Sequence, residues 1–200
     1  MVIQKTKGTD TWVYTYDHAN RLTEVKENSV TIGEYVYTGE GKRIQVTENS
    51  QITYIYAGIA VLYEENATGK ACYIYGPTGR IAKKTTMHGE SHTFYYHTDH
   101  AGSTRLVTDE STHIVSAVTY HPFGEPCIKG SEKYLFCRKE MDATGLYYFG
   151  ARYYDCDVGR FITRDPFKGM IHNPQILNRY TYCRNNPLKY RSVGRKGCTH

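Results

Sequence analysis

Long apolar segments are missing from this chain of 200 residues. Apolar runs such as residues 59–62 are far shorter than the roughly 18 residues that a membrane-spanning helix needs. Residues 1–5 also lack the apolar stretch of a signal peptide. The sequence therefore predicts no integral membrane segment and no signal peptide, and it leaves the localisation unknown.

Paired cysteine motifs are missing as well. No two of the six cysteines have the Cys-x-x-Cys spacing of a zinc knuckle or a redox motif. Six cysteines in 200 residues are too few for a disulfide scaffold. We expect isolated thiols, with disulfides as the alternative in an exported chain, and we expect no cofactor. The cysteines are Cys72, Cys127, Cys137, Cys156, Cys183 and Cys198.

Acidic residues are missing from the last part of the chain. Residues 184–200 carry basic side chains only and account for the whole net charge of +5. The remainder is electrically balanced, so the pI of about 8.8 does not describe a basic face built for phosphates. We expect no nucleic-acid partner and a solvated basic tail over residues 195–200. An alternative is that these last residues are out of frame relative to the ancestral gene.

Helical patterns are missing before residue 130, where tyrosine is the dominant feature. The chain contains 20 tyrosines, and Tyr-x-Tyr pairs recur at nearly regular spacing, which is typical of a repeat protein. Tyrosines at alternate positions place both rings on one face of a strand. The pairs are Tyr14 and Tyr16, Tyr35 and Tyr37, Tyr54 and Tyr56, and Tyr73 and Tyr75.

A short polar stretch follows most tyrosine pairs, and a basic and an aliphatic residue come next, as in residues 38–44. Asp, Asn, Gly and Pro supply turns there, so each unit is interpreted as a β-hairpin. A single hairpin is marginal in water, whereas stacked hairpins bury their rings against one another. The sequence predicts an all-β fold, with stacked antiparallel hairpins over residues 1–129 and a loop-rich C-terminal core over residues 130–194.

From about residue 92 onward, several motifs follow one another in a specific order. They are Asp99-x-x-Gly102-Ser103-x-Arg105, Phe123-Gly124, the string Gly145-Leu146-Tyr147 with Gly150, Arg152 and Tyr153, then Gly159-x-Phe161, and finally Asn186-Pro187. With these motifs the chain resembles the RHS/YD-repeat family, and specifically its RHS repeat-associated core domain. Residues 12–91 agree with the degenerate YD repeats of that family, so the resemblance extends over residues 12–194.

The resemblance implies a hollow β-shell, closed at one end by the core domain, that encloses a toxic cargo. Relatives of this kind are polymorphic toxins or insecticidal toxin complexes and are exported or lie at the cell surface. Because the chain is too short to enclose a protein, we expect a C-terminal piece of a longer shell. Because nothing follows His200, we expect a truncated fragment without cargo. Its partners are then the remainder of the shell and, in a full-length relative, the toxin.

An intramolecular aspartyl protease is the enzymatic alternative that the resemblance implies. Such a protease needs two close carboxylates that share a proton. Asp165 matches one aspartate of the family and Arg160 its supporting arginine, but Ser192 stands at or next to the place of the second aspartate. A hydroxyl alone is a poor general base at neutral pH. We therefore expect an inactive site, with Asp165 as a turn residue.

Three further groups of side chains have a structural and a functional interpretation. The tyrosine pairs are interpreted as core residues that pack between hairpins. Carbohydrate binding by exposed tyrosines at a cell surface stays open as a third function. Arg152 is interpreted as a structural residue whose guanidinium stacks on aromatic rings and pairs with an acidic side chain. The histidine pairs His88/His92 and His97/His100 do not converge on one face of a hairpin, so we expect no metal site.

Overall fold

The computed structural model describes residues 2–48, 50–57, 60–128, 130, 132–165, 177–192 and 198–199. Within these residues, regular structure is almost entirely β, with two 3₁₀ turns at Phe136–Arg138 and Cys183–Asn185. No helix in the described part has the length and apolar character needed to cross a membrane. The strands are β1 (Val2–Lys7), β2 (Asp10–Tyr16), β3 (Leu22–Glu27), β4 (Val30–Tyr37), β5 (Arg43–Thr47), β6 (Gln51–Ala57), β7 (Ala60–Glu65), β8 (Gly69–Gly76), β9 (Gly79–Met87), β10 (Glu90–Thr98), β11 (Thr104–Thr108), β12 (Ile114–Ala117), β13 (Thr119–Tyr120), β14 (Pro126–Ile128), β15 (Glu140–Met141), β16 (Leu146–Tyr148), β17 (Tyr153–Asp155), β18 (Arg160–Phe161), β19 (Arg191–Ser192) and β20 (Cys198–Thr199).

The first twelve strands form one sheet in which spatial order equals chain order. Pairing is antiparallel from β1 to β8 and from β10 to β12. This order arises when each strand turns back beside the previous one through a short loop. Strands β15 to β18 form a second sheet, and β13–β14 and β19–β20 are two-stranded pairs. The predicted all-β fold of stacked antiparallel hairpins is confirmed.

Several hairpin loops share the same closing hydrogen bonds. The Asp17 amide donates to the Arg21 carbonyl, and the Asn20 amide donates to the Asp17 carbonyl, both at 3.0 Å. The fourth loop residue has a positive φ, which is 60° at Asn20. Glycine and asparagine adopt this conformation with the least strain. Further loops with the same two bonds begin at Thr38, Asp99, Asp109, His121 and Asp142.

Alternation along the strands separates a buried tyrosine face from an opposite face. In β4, Tyr35 is buried whereas its neighbour Val36 is 45% exposed. Tyrosines of the buried face lie opposite buried valines of the returning strand, and these pairs fill the space between neighbouring strands. The pairs are Tyr14 with Val25, Tyr35 with Val46, and Tyr96 with Val107.

The contacts divide the chain into two compact units, residues 1–75 with 82–93, and residues 76–81 with 94–200. Within each unit, residues lie closer to one another than to residues of the other unit. The predicted boundary after residue 129, between the repeat hairpins and the C-terminal core, stays a prediction. The predicted basic tail falls largely outside the described residues, which include only 198–199 of that segment.

The core of the second unit is built from aromatic rings. The ring centroids of Tyr154 and Tyr182 are 4.6 Å apart, and Phe149 meets Phe161 edge-on at 5.5 Å. Aromatic pairs in such geometries contribute about 0.5–1.5 kcal/mol each beyond the burial of their surface. The buried members of this core are Val118, Leu135, Phe136, Tyr147, Phe149, Tyr154, Cys156, Phe161, Tyr182 and Cys183.

Candidate functional site

A contact between arginine and tyrosine recurs along the repeats. The arginine after one loop places its guanidinium over a tyrosine ring of the next hairpin, an attraction of about 0.5–2 kcal/mol. We call these contacts the arginine–tyrosine ladder; two of them lie in each unit. The pairs, with the distance from the guanidinium carbon to the ring centroid, are Arg21–Tyr37 at 5.2 Å, Arg43–Tyr54 at 5.6 Å, Arg80–Tyr96 at 5.7 Å and Arg105–Tyr120 at 5.8 Å.

Tyrosine hydroxyls make a second repeated contact. Each donates a hydrogen bond to a backbone carbonyl at or next to the start of the preceding return strand. This bond ties one hairpin to the previous one at a defined register. The donors and acceptors are Tyr37 and Leu22 at 2.7 Å, Tyr75 and Val61 at 2.8 Å, and Tyr120 and Thr104 at 2.7 Å.

Arg43 is the most buried arginine of the ladder. It is 0% exposed, and its guanidinium lies 5.4 Å from the ring centroid of Tyr35 as well as 5.6 Å from that of Tyr54. The guanidinium is planar and weakly hydrated, so it stacks on rings at a lower desolvation cost than an ammonium group. At this position the ladder therefore uses a basic side chain for packing and does not present it to a ligand.

Five of the eight tyrosines that were predicted to stack between hairpins are buried, whereas Tyr37, Tyr56 and Tyr75 are half-buried. Tyr14, Tyr16, Tyr35, Tyr54 and Tyr73 are 3% to 6% exposed. A ring that binds a sugar must present one face to solvent, and these rings do not. Carbohydrate binding through these five tyrosines is therefore not favoured.

The Asp99 motif is a closed loop. Oδ1 of Asp99 accepts hydrogen bonds from the amides of Ala101 and Ser103, both at 2.9 Å. Gly102 has a φ of 82°. Ser103 is buried, and its Oγ accepts from the Cys137 amide at 3.1 Å. The aspartate of this motif shapes the loop, and the serine anchors it to the C-terminal part of the same unit.

Two buried tyrosines bind the loop of the Phe123-Gly124 motif. Oη of Tyr147 donates to the Gly124 carbonyl at 3.0 Å, and Oη of Tyr154 donates to the Phe123 carbonyl at 2.8 Å. Burial raises the pKa of both hydroxyls well above the usual range, so they remain protonated donors. A Cβ at Gly124 would overlap the ring of Phe136, so the close approach requires glycine.

The remaining motif residues form the second sheet, its turns and a separate turn around residue 187. Oδ1 of Asn186 accepts from the Lys189 amide at 3.2 Å and closes the turn that contains Pro187. The turn glycines have φ values of 79°, 87° and 66° and are Gly145, Gly150 and Gly159. The buried strand residues are Leu146, Tyr147, Tyr153 and Phe161.

Asp165, the candidate catalytic acid, is bound by Arg152. Nη2 of Arg152 lies 2.8 Å from Oδ2 of Asp165, and the same guanidinium lies 3.6 Å from the ring centroid of Phe161. The Asp165 amide donates to the Arg179 carbonyl at 2.8 Å, and the Asp165 carbonyl accepts from Nε of Arg179 at 2.6 Å. This geometry makes Asp165 an anchor between two backbone segments.

The arginine that pairs with Asp165 is Arg152, the residue that the sequence suggested for stacking on a ring and pairing with an acid. Arg160 is exposed, and its backbone pairs with Asp155 in β17 and with Thr181. Ser192 lies in β19 and pairs with Cys198. The catalytic roles carried over to Asp165 and Arg160 stay predictions.

The histidine pairs lie on exposed strands and turns. Nε2 of His97 is 3.0 Å from Oγ1 of Thr108, and Nε2 of His92 is 3.8 Å from Oε2 of Glu90. In the described ranges, no group of three or more His, Cys, Asp or Glu side chains is arranged to hold a metal ion. These histidines make local surface contacts.

Buried thiols lie beside the aromatic core. Sγ of Cys137 is 3.3 Å from Oη of Tyr182. Burial raises the pKa of the Cys137 thiol, and it raises that of Cys156 to about 12. Since the thiolate is the reactive form, these cysteines are structural groups. The free thiols among the described residues are Cys72, Cys127, Cys137, Cys156 and Cys183.

Sequence reasoning missed two partners in the second unit. The Tyr134 ring lies 3.5 Å from the guanidinium carbon of Arg80, and Arg179 binds the backbone of Asp165. Both lie outside the repeat pattern, so no sequence signal identifies them. The ladder has a signal in three of its four contacts, in which the arginine precedes its tyrosine by 15 or 16 residues, whereas Arg43 precedes Tyr54 by 11.

The tyrosine-rich hairpins, their ladder and the aromatic core define a YD-type repeat shell segment. The family model described as Teneurin YD-shell matches residues 13–188. The chain belongs to this family, and the resemblance to RHS/YD-repeat proteins is confirmed.

Relatives of known name match most of this chain. It is 32% identical over 192 residues to the tRNA3(Ser)-specific nuclease WapA of Bacillus spizizenii, covering 88% of this chain and 8% of that protein. It is 27% identical over 192 residues to the double-stranded DNA deaminase toxin A of Burkholderia cenocepacia, covering 76% and 14%. Those activities are properties of the relatives, and the expectation of no nucleic-acid partner here stays a prediction.

The fold also matches solved structures. The crystal structure of TcdB2-TccC3 without its hypervariable C-terminal region has a TM-score of 0.74 at 23% identity. The match covers 92% of this chain and 10% of that one. The fold is therefore similar to that of a segment of TcdB2-TccC3, and the chain spans only a small part of the relatives and the structure named here.

Proposed function

We propose that this chain forms part of the wall of a YD-type β-shell that encloses a toxin-type cargo. The observation that carries the proposal is the arginine–tyrosine ladder. Because neighbouring hairpins are joined by repeated contacts, with a ladder contact at four of the junctions, such a sheet is extended by adding hairpins. The remainder of a shell and its cargo are the proposed partners.

The first unit has the construction that a wall requires. All its strands belong to the twelve-stranded sheet, and its ladder contacts join neighbouring strands. Tyr35, Arg43 and Tyr54 are 3%, 0% and 3% exposed, so the packing of rings and guanidinium excludes water between strands. A sheet stabilised in this way can separate an enclosed compartment from the solvent although it is only one layer thick.

The relatives support a toxin-type cargo. Their names describe a tRNA nuclease and a DNA deaminase toxin, two different activities attached to proteins that share this segment. A segment that proteins of different activity share is more consistent with enclosing the active part than with carrying the reactive site itself. Neither the autoprotease nor the carbohydrate-binding alternative is favoured by the geometry of the site.

Protease protection of the natural protein tests the proposal. An antibody against this chain is used to isolate the protein from its source cells, and trypsin is added before and after unfolding. We expect a polypeptide larger than 23.0 kDa that protects a further segment from trypsin until it is unfolded. Detection of the chain only as a free 23.0 kDa polypeptide would contradict the proposal.

A pair of adjacent residues supplies the matched variants. Arg43→Ser removes a ladder group that is 0% exposed and should make the enclosed segment sensitive to trypsin. Lys42→Ser changes a side chain that is 40% exposed and should leave protection unchanged. Equal protection in both variants would show that the ladder does not close the wall.

A further inference from the structure

One hairpin loop of the first unit carries an asparagine that is followed two residues later by a threonine. Asn66, Ala67 and Thr68 connect β7 to β8, and the side chains of Ala67 and Thr68 are exposed. No other Asn-x-Ser or Asn-x-Thr occurs in the 200 residues. This tripeptide is the acceptor sequence for N-linked glycosylation. Because so short a motif also arises by chance, its use depends on how the loop presents the asparagine.

The loop is closed through the side-chain oxygen of Asn66. Oδ1 of Asn66 accepts hydrogen bonds from the Thr68 amide at 3.0 Å, from Oγ1 of Thr68 at 2.9 Å and from the Gly69 amide at 2.9 Å. The Asn66 amide also donates to the Gly69 carbonyl at 2.9 Å. These bonds use the oxygen and the backbone of Asn66 and leave its side-chain nitrogen unused.

The side-chain nitrogen of Asn66 is accessible. Among the described residues, Nδ2 of Asn66 has no hydrogen-bond acceptor, and it is not one of the buried polar atoms that lack a partner. Asn66 also borders an open groove, together with Thr68, Thr85 and Met87. A substituent on Nδ2 would therefore preserve the hydrogen bonds that close the hairpin.

The turn itself does not require an amide side chain. In other hairpin loops a carboxylate Oδ1 accepts from a loop amide in the same way, and these carboxylates belong to Asp17, Asp99 and Asp109. An aspartate at position 66 would also supply the oxygen that closes the loop. What distinguishes this loop is an unused amide nitrogen whose own carbonyl oxygen accepts from the hydroxyl of Thr68.

We propose that Asn66 is the attachment site of an N-linked glycan. Nδ2 would lose one proton to a base of the transferring enzyme and form a bond to the anomeric carbon of a sugar carried on a lipid pyrophosphate. The bond between that carbon and the pyrophosphate oxygen breaks, and the lipid pyrophosphate leaves with the electron pair.

The hydrogen bonds of the loop favour this step. An amide nitrogen is a weak nucleophile, because its lone pair is delocalised into the carbonyl group. Three donors on Oδ1 of Asn66 stabilise the negative charge that this oxygen acquires as Nδ2 loses its proton. The site does not depend on what a shell encloses, because it concerns one exposed hairpin loop.

Mass spectrometry of the natural protein tests the site. The protein is isolated from its source cells with an antibody, digested with trypsin and treated with peptide N-glycosidase in water enriched in oxygen-18. The glycosidase releases a glycan and converts its asparagine to an aspartate that carries the heavy oxygen. We expect heavy aspartate at position 66 of the tryptic peptide 44–70. Recovery of Asn66 without the label would overturn the proposal.

The same peptide contains an internal control. Asn49 has no hydroxyl two residues later, because residue 51 is glutamine. It should therefore stay unlabelled under the conditions that label Asn66. Equal labelling of both asparagines would show spontaneous deamidation in place of a glycan and would also contradict the proposal.

Three variants of the natural protein separate the glycan from the turn. Asn66→Asp keeps an oxygen that closes the loop and should lose the mass of the glycan, while the protein is recovered in the same amount. Thr68→Val removes the hydroxyl and should also lose the glycan, whereas Thr68→Ser keeps a hydroxyl and should retain it. A glycan that persists in Thr68→Val, or that is lost in Thr68→Ser, would overturn the role of the hydroxyl in this site.

Discussion

Gly124 and Gly145 separate backbone strain from packing, because they occupy the same position in two loops with the same closing hydrogen bonds. Their φ values are 89° and 79°. A Cβ at Gly145 meets no atom within 4 Å, whereas a Cβ at Gly124 would overlap the ring of Phe136. Gly145→Ala therefore adds only the strain of a left-handed alanine, about 1–2 kcal/mol of unfolding free energy.

Gly124→Ala adds overpacking to the same strain. The Phe136 ring cannot move away freely, because its centroid lies 5.9–6.1 Å from those of Tyr120, Tyr147 and Tyr182. Forcing an extra methyl group into such a core costs about 1–3 kcal/mol. The expected total for Gly124→Ala is therefore about 2–5 kcal/mol.

Urea and thermal unfolding, followed by near-ultraviolet circular dichroism of the tyrosines, measure the two losses. Gly145→Asn should recover most of the loss in Gly145→Ala, because asparagine tolerates the left-handed region. Gly124→Asn should not recover, because its side chain still meets Phe136. Equal losses in the two alanine variants would refute the argument that packing on Phe136 sets the requirement at Gly124.

Four further predictions concern two variants, the alkylation of cysteines and the titration of a tyrosine. In urea, Asp99→Ala should lose about 2–3 kcal/mol of unfolding free energy, because two amides lose a charged acceptor, whereas Asp99→Asn should retain most of it; an equal loss would contradict this role. Arg152→Gln should speed hydrogen exchange in the backbone beside its carboxylate partner, and unchanged exchange would argue against the anchor. Iodoacetamide should alkylate the exposed Cys72 before Cys156, because burial raises the pKa of Cys156 to about 12; equal rates would be inconsistent with a buried thiol. Burial raises the pKa of Tyr154, so its contribution to stability is complete below the ordinary tyrosine pKa of about 10 and is lost as the pH rises above it. Its tyrosinate absorbance should appear together with unfolding, and titration without unfolding would contradict the assignment.

The repeat region was largely predictable because its signals are local. Tyr35 and Tyr37 alternate along one strand, and residues 38–42 contain the turn residues that the loop needs, including Gly41 with a φ of 83°. A period of two and a positive φ depend on a few neighbouring residues. The same reasoning did not reveal that Arg43 is 0% exposed, because its burial depends on rings contributed by two other strands.

The surroundings of the candidate acid show what such reasoning leaves open. The sequence suggested Arg152 as a residue that pairs with an acid but did not identify Asp165 as its partner, and the structure places the two side chains 2.8 Å apart. Arg160 begins β18 and is exposed, while Arg152 precedes β17 and reaches the acid across Phe161. Which arginine approaches the carboxylate depends on how a turn and two strands pack, and that information is absent from the spacing of the motif.

The amino-acid sequence by itself determined the hairpin repeat, the all-β class and the membership in a shell family, because alternation, turn chemistry and motif order are properties of short segments. The tertiary structure decided the partner of Asp165, the burial of Arg43 and the contact between Gly124 and Phe136. Those contacts join residues that are distant along the chain, and their distances depend on the packing of separate strands and loops, which no local pattern encodes.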